Sequence, residues 1–396
     1  MGGKSVLKIT RRLMSTCAAL CVGALSAQAE LSLPVTYLQE VQERPPVLSN
    51  LDPVPDDLGQ AGAELGLADN LTTGQFLGHK FTLQIQQVEE GADMMEAART
   101  ALAASPYLIL DASAATQTAI ADLPEAASAL LFNASSGDPT LRAENCRANL
   151  LHTKPSDAMR ADALMQFLTR KRWDRLVMIT GPYPDDLDFA AALRRSATKF
   201  GREIASEKAW TFDADMRRNA AQEVPLFTQD FGDYDALLIA DETGDFGRYI
   251  AYNTWEARPV AGSEGLMPAT WSRVVEQWGA AQLQSRFTDL AARDMEPKDY
   301  AAWAAMRTMG EAVTRTNSDD PATLRTFILS DAFELAGFKG RPMTYRTWNG
   351  QLRQPIPLVT TRAVVAQAPL EGFLHQRTEL DTLGLDQPES PCTAFN

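Results

Sequence analysis

Short apolar runs bounded by polar turns alternate along this chain with stretches in which apolar residues recur every three or four positions. The first pattern marks buried strands and the second marks helices with one apolar face. Leu33 to Leu38 reads as a first strand, and Leu58 to Leu71 as a helix carrying Leu58, Ala61, Leu65 and Ala68 on one side, with Thr72-Thr73-Gly74 ending it. Phe81 to Val88 alternates as a strand does. Asp93 to Ala104 is a short alanine-rich helix, Tyr107 to Leu110 a strand, Ala114 to Ala121 a helix and Ala129 to Phe132 a strand. Four parallel strands with helical crossovers make a doubly wound α/β unit.

The pattern then restarts. Ser156-Asp157 caps a helix running to about Thr169, Arg175 to Thr180 is a strand, and Phe189 to Phe200 is a helix that Gly201 stops. Ile204 to Phe212 and Ala236 to Ala240 complete a second α/β unit up to Gly262. Beyond it, Ser272 to Ala292 and Asp299 to Thr316 read as long helices, the second with Trp303, Met306, Met309 and Val313 on one stripe. Asp319-Asp320-Pro321 starts another helix. From Gly340 the chain is strand-like: Met343 to Trp348, an Asn349-Gly350 turn, then Gln354 to Thr360, with Ala363 to Ala366 continuing that sheet and a polar tail after Leu370.

Residues 1–29 do not fit this alternation. Lys4, Lys8, Arg11 and Arg12 precede the apolar stretch Leu13 to Leu25, and Ala27-Gln28-Ala29 is a small-residue cleavage signature, so the segment reads as a secretory signal. The arginine pair leaves both ordinary and twin-arginine export open. The segment carries four basic and no acidic residues, so its removal takes 37 basic residues to 33 against 51 acidic, and the charge from −14 to −18. A chain this acidic has no general basic face for nucleic acid. Cys17 and Cys21 leave with the signal. Cys146 and Cys392 remain, and an oxidising compartment favours a disulfide between them.

Catalytic signatures are missing. His79, His152 and His375 stand apart from one another, and there is no HExxH, CxxC pair, P-loop or GxGxxG. The reading is therefore a binding protein, not an enzyme, with no cofactor. Polar loops follow the core strands instead: Asp111-Ala112-Ser113-Ala114, Asn133-Ala134-Ser135-Ser136, Gly181 to Asp186, Asp241 to Asp245 and Gly262-Ser263-Glu264. Loops at the carboxyl ends of parallel strands are where open α/β sheets bind ligands.

The order of segments resembles the type 1 periplasmic binding proteins of the branched-chain amino-acid receptor kind. Asp56 to Gly62, Asn70 to Gly78, Pro155-Ser156-Asp157, Tyr300 to Ala312 and Phe338 to Leu358 carry that resemblance. Gly59-Gln60-Ala61-Gly62-Ala63, Leu150 to Thr153, Pro182-Tyr183-Pro184, Phe338 to Pro342 and Trp348 to Pro355 are similar to one subfamily. That subfamily comprises the substrate-binding components of ABC transporters associated with pyrroloquinoline-quinone-dependent alcohol dehydrogenase systems. The resemblance implies two Rossmann-like lobes joined by three crossovers: lobe 1 from residues 30–153 and 265–338, lobe 2 from 154–264 and 339–396. It also implies a periplasmic monomer that passes a small ligand to an inner-membrane permease.

Carried over loop by loop, the resemblance assigns ligand contacts to Ser113, Ala134, Ser135, Ser136, Tyr183, Asp241, Glu242, Thr243 and Glu264. In amino-acid receptors the lobe 1 groups take the carboxylate and the lobe 2 acids take the ammonium. Ala114-Ala115 here replaces much of the usual hydroxyl run. The excess of acids on these loops favours a neutral or cationic ligand. A quinone with several carboxylates would be repelled unless Arg248 or Arg258 turned inward. Two alternatives stay open: a receptor or chaperone for a hard cation, calcium or a lanthanide, held by Asp185, Asp241 and Glu264, and an enzyme on the same scaffold.

Overall fold

The computed structural model describes residues 2, 31–42, 53–211 and 216–395. Apart from Gly2, the expected export signal lies outside the described residues. The first unit runs β1 (Leu31–Glu40), α1 (Gln60–Leu77), β2 (His79–Val88), α2 (Met94–Ala104), β3 (Tyr107–Asp111), α3 (Ala114–Ala121), β4 (Leu130–Asn133) and β5 (Leu150–His152). Its five strands are all parallel, in the order β2-β1-β3-β4-β5. Side chains on a strand alternate between faces, and both faces here are covered. Leu33, Val35, Tyr37 and Ile109 point to one core, whereas Leu38, Leu108 and Leu110 point to another built with α2 and α3.

The second unit runs α4 (Asp157–Lys171), β6 (Arg175–Thr180), α5 (Pro184–Lys199), β7 (Glu203–Ala209), α6 (Met216–Thr228), β8 (Ala236–Ala240) and β9 (Val260–Gly262). Its sheet is parallel, in the order β7-β6-β8-β9. Leu176 and Met178 face α4 and α5, and Val177 and Ile179 face α6. Both units are therefore doubly wound α/β layers, as the alternation of patterns predicts.

The remaining elements are shared between the units. They are β10 (Met267–Pro268), α7 (Ala280–Ala291), α8 (Pro297–Thr316), α9 (Pro321–Ile328), β11 (Leu335–Ala336), β12 (Pro342–Tyr345), β13 (Leu352–Arg353), β14 (Ile356–Val359) and β15 (Val364–Ala368). Leu283, Tyr300, Trp303, Leu324, Leu335, Tyr345 and Leu352 join the core of the first sheet, and Ile356, Leu358, Ala368, Leu370 and Leu383 join that of the second. The chain thus passes between the units after β5, after β9 and between β13 and β14. The first and third passages touch: the His152 N–H donates to Gly350 O at 2.9 Å, and Gln354 Nε2 donates to Thr153 O at 2.8 Å.

Several elements depart from the sequence reading. α1 runs through Gly74 to Leu77, and Gly78 caps it with a left-handed φ of 74°. α5 begins at Pro184, ahead of the expected Phe189. The expected helix over Ser272 to Ala292 forms only from Ala280, because Trp278 and Gly279 both take positive φ and break it. β5 and α6 were not anticipated. Gln354 to Thr360 and Ala363 to Ala366 fall in a separate sheet, β10-β14-β15, and not in the β12-β13 hairpin. The tail after Leu370 is partly buried, through Leu380, Asp381 and Leu383. Cys146 and Cys392 form the expected disulfide.

Candidate functional site

Strand order reverses between β1 and β3 in the first sheet and between β6 and β8 in the second. The carboxyl ends at those points are the natural ligand positions of such sheets. In the first unit, β1 ends in Gln39 and Glu40 and β3 ends in Asp111. Asp111 is buried and fully engaged: it accepts from Tyr37 Oη at 3.0 Å, Gln39 Nε2 at 2.9 Å and Lys298 Nζ at 2.8 Å. Burial, then the Asp111 charge, pushes the Tyr37 phenol well above its ordinary range.

Ser113 caps α3, its hydroxyl accepting from the Thr116 N–H at 3.2 Å. The Ser113 N–H donates at 2.9 Å to Glu40, whose other oxygen accepts from Thr116 Oγ1 at 2.9 Å. A carboxylate from the chain itself therefore sits at the start of α3, where it completes the cap. The next loop is organised by Asn133, which is wholly buried. Its Oδ1 accepts from the main-chain N–H groups of Ser135 (3.1 Å) and Ser136 (2.9 Å) and from Gln117 Nε2 (3.0 Å). Ser135 Oγ accepts from Ala112 N and donates to Ala112 O, both at 3.0 Å, joining the two loops. The Ala134 N–H extends the sheet to Leu110 O at 3.1 Å. The expected residues Ser113, Ala134, Ser135 and Ser136 are thus brought to one sheet end, with Ser113 and Ser135 already bonded within it.

The second unit uses two carboxylates as loop anchors. Asp186 accepts from the main-chain N–H groups of Tyr183 (3.2 Å), Glu242 (2.6 Å) and Thr243 (3.4 Å). Burial, with the nearby Asp241 adding, pushes its carboxyl up to about 6. Asp241 accepts from the N–H groups of Asp245 (2.9 Å), Phe246 (2.9 Å) and Gly247 (2.6 Å) and from Thr243 Oγ1 (3.3 Å). Glu264 lies over this turn, since a Cβ on Gly247 would meet its Cγ. Tyr183 stands at the head of α5, and its phenol is raised by burial and then by Asp245, Asp186 and Asp241.

Glu242 meets Arg160, a residue that the sequence reading did not single out. Arg160 donates to both Glu242 oxygens at 2.6 and 3.0 Å, to Asp157 at 2.9 Å and to Pro268 O at 3.2 Å. Its guanidinium also stacks 4.4 Å from the Phe189 ring centre. Against its burial, Arg160 holds Glu242 below the usual carboxylate range. Ser263 Oγ adds a bond to Glu242 at 2.7 Å. The only local signal for Arg160 was its position one turn into α4, three residues after Asp157.

Charges also act across the two sides. Asp188 on α5 is raised by burial and by Asp138 of the loop after β4. Lys154, on the first passage between units, is lowered to about 8 by burial and by the adjacent Arg160. Arg258, considered above as an inward cation, pairs instead with Asp233 at 2.9 Å. Among the described residues no group of three or more His, Cys, Asp or Glu is placed to hold a metal ion. Asp185, Asp241 and Glu264 do not gather into one: Asp185 is exposed, and both oxygens of Asp241 are engaged by its own loop. A hollow of about 170 Å³ lined by Trp278, Lys339, Pro355 and Pro369 lies by the third passage, away from these loops. No helix among the described residues is long and apolar enough to cross a membrane.

Neither a protein-family model nor a curated protein matches the sequence. Solved structures do match the fold. A branched-chain amino-acid ABC transporter periplasmic ligand-binding protein from Burkholderia xenovorans aligns over 92% of this chain and 100% of its own, at a TM-score of 0.68 and 14% identity. A leucine-, isoleucine-, valine-, threonine- and alanine-binding protein from Brucella ovis, in a closed conformation, aligns over 86% and 93%, at 0.64 and 13%. An ABC transporter solute-binding protein from R. palustris in complex with benzoate aligns over 91% and 99%, at 0.63 and 12%. Likeness at this level of identity concerns architecture and leaves the ligand open. The chain has the type 1 periplasmic binding protein fold.

Proposed function

We propose that this chain is an extracytoplasmic solute-binding protein that carries a small ligand between two lobes to an ABC permease of the inner membrane, and that it is not an enzyme. One observation carries the reading: two parallel sheets, each with polar loops at its switch point, are linked by three passages of chain, which supports a ligand cleft between them. The ligands printed for its structural neighbours, branched-chain amino acids and benzoate, are consistent with a small organic solute. The signal-like segment at residues 1–29 supports export to the periplasm, where the chain would act as a monomer. Core membership supports a first lobe ending its last segment near Leu352, not at 338, since Met343, Tyr345 and Leu352 pack with the first sheet.

The link to a quinone-dependent alcohol oxidation system rests on motif resemblance alone, and the solved structures that the chain resembles do not carry it. The charge of the loops no longer selects a neutral or cationic ligand. Asp111, Asp186, Asp241 and Glu242 are each bonded within the protein. The test is small-angle scattering on the mature protein, with amino acids, aromatic acids, alcohols and their oxidation products added in turn. A saturable decrease in radius of gyration with one solute is the expected result. Binding without any change of shape would count against a cleft between moving lobes.

A further inference from the structure

Lys154 lies on the first passage between the two units, and it differs from Arg160 and Lys298, the two cations whose charges reach it. Arg160 is occupied by Glu242, Asp157 and Pro268 O, and Lys298 by Asp111. The Lys154 ammonium has no hydrogen bond or ion pair with any described residue. Its main chain, by contrast, is fixed. The N–H donates to Asn133 O at 3.2 Å, and the carbonyl accepts from Arg142 at 2.8 Å and Gln351 at 3.2 Å. Pro155 follows and holds Lys154 extended. The side chain is sheltered but not sealed, and its field comes from Arg160 and Asp157 on α4, Glu242 after β8 and Lys298 on α8. It is an ammonium with three unused donors on a fixed stretch of main chain, within the field of charges from both units.

The opposite end of the cleft is closed to an acid. Glu40 already occupies the start of α3, bonded to the Ser113 N–H and Thr116 Oγ1. A ligand carboxylate arriving there would meet a carboxylate.

Resting on the solute-receptor reading, we infer that the cleft takes a carboxylate-bearing solute and that Lys154 is the residue that holds its carboxylate. The remainder of the ligand then extends toward Tyr183 and the loops after β6 and β8. Asp157 and Glu242 attract the ammonium but are bonded to Arg160, and a bound acid gives it the hydrogen-bonded charged acceptor that they do not. It also favours the protonated form of Lys154, so binding and proton uptake are linked.

Isothermal titration of the mature protein against matched pairs tests this: benzoate and benzamide, propionate and propionamide, L-leucine and L-leucinol. One acid is expected to bind at least about 10-fold more tightly than its uncharged or alcohol partner. Lys154→Met should weaken that acid by about 10–100-fold, the range of a charged hydrogen bond, with the partner unaffected. Above pH 8 the wild-type affinity should fall by about tenfold per pH unit, and Lys154→Arg should abolish that fall. Circular dichroism and urea unfolding check that the variants fold. Equal binding of an acid by wild type and Lys154→Met, or amides and alcohols binding as tightly as acids, would overturn the inference and leave the receptor intact. If no compound of any charge binds, the receptor reading itself fails.

Discussion

Arg160 shows how a single side chain can change the meaning of its neighbours. The loops after the strands are acidic in sequence, which invites a cation. The structure answers Glu242 and Asp157 with one guanidinium and answers Asp186 and Asp241 with main-chain N–H groups. The Arg160 and Asp157 side chains are 12% and 14% exposed and Glu242 is 21% exposed, so leaving the two acids unpaired should cost about 1–3 kcal/mol, less than in a sealed ion pair. Arg160→Met should therefore lower unfolding free energy by about that amount in urea titrations. Adding Glu242→Gln should recover part of it. If Arg160→Met costs less than about 1 kcal/mol, the pairing is a surface one and the acids are free to serve a ligand. The acids were legible because they follow strands whose ends the apolar pattern marks. Their partners were not, because Arg160 lies 82 residues from Glu242 and Lys298 lies 187 from Asp111, and nothing local encodes such a meeting.

At the scale of elements, hydrophobic alternation exposed both sheets, and the faces proved to be those that period two assigns. The failures have local causes. α6 carries Pro225 in its interior and a polar first half, so neither its period nor its propensity announces a helix. The fit between α1 and α8 was also hidden. Gly62 and Gly66 on α1 lie directly under α8: a Cβ on Gly62 would run into the Asp299 carbonyl, and one on Gly66 into Met306. In a scan for helical period these glycines only weaken α1, yet they allow two backbones to approach. Asn70 Nδ2, further along α1, donates to Met306 O at 2.7 Å across the same contact. Overpacking of this kind costs about 1–3 kcal/mol and more when the obstacle is main chain. Gly62→Ala should lower the thermal midpoint by several degrees in calorimetry. Gly78→Ala, with open space around it, should show only the smaller penalty of its positive φ.

For the whole molecule, the disulfide joins residues 246 apart and ties the tail to the loop after β4, beside the bond from Ser390 Oγ to Arg142 O at 2.8 Å. Closing a loop of that length restricts the unfolded chain by about 5 kcal/mol in the chain-entropy account. Cys392→Ala should melt well below the oxidised wild type under non-reducing conditions and match it once both are reduced. Equal midpoints without reductant would mean that the tail is held by Leu380, Leu383 and the Arg346–Asp381 pair alone. The three passages of chain between the sheets have a mechanical consequence as well. A single tether would act as a ball joint, leaving the halves free to swivel. Here the first and third passages are bonded side by side through His152, Gly350 and Gln354, with the second nearby at Arg160 and Pro268. Ties set along one edge suppress torsion and leave bending about that edge as the soft coordinate. Any relative motion of the two halves is therefore expected to follow that of a strip-hinged book, opening and shutting without wringing.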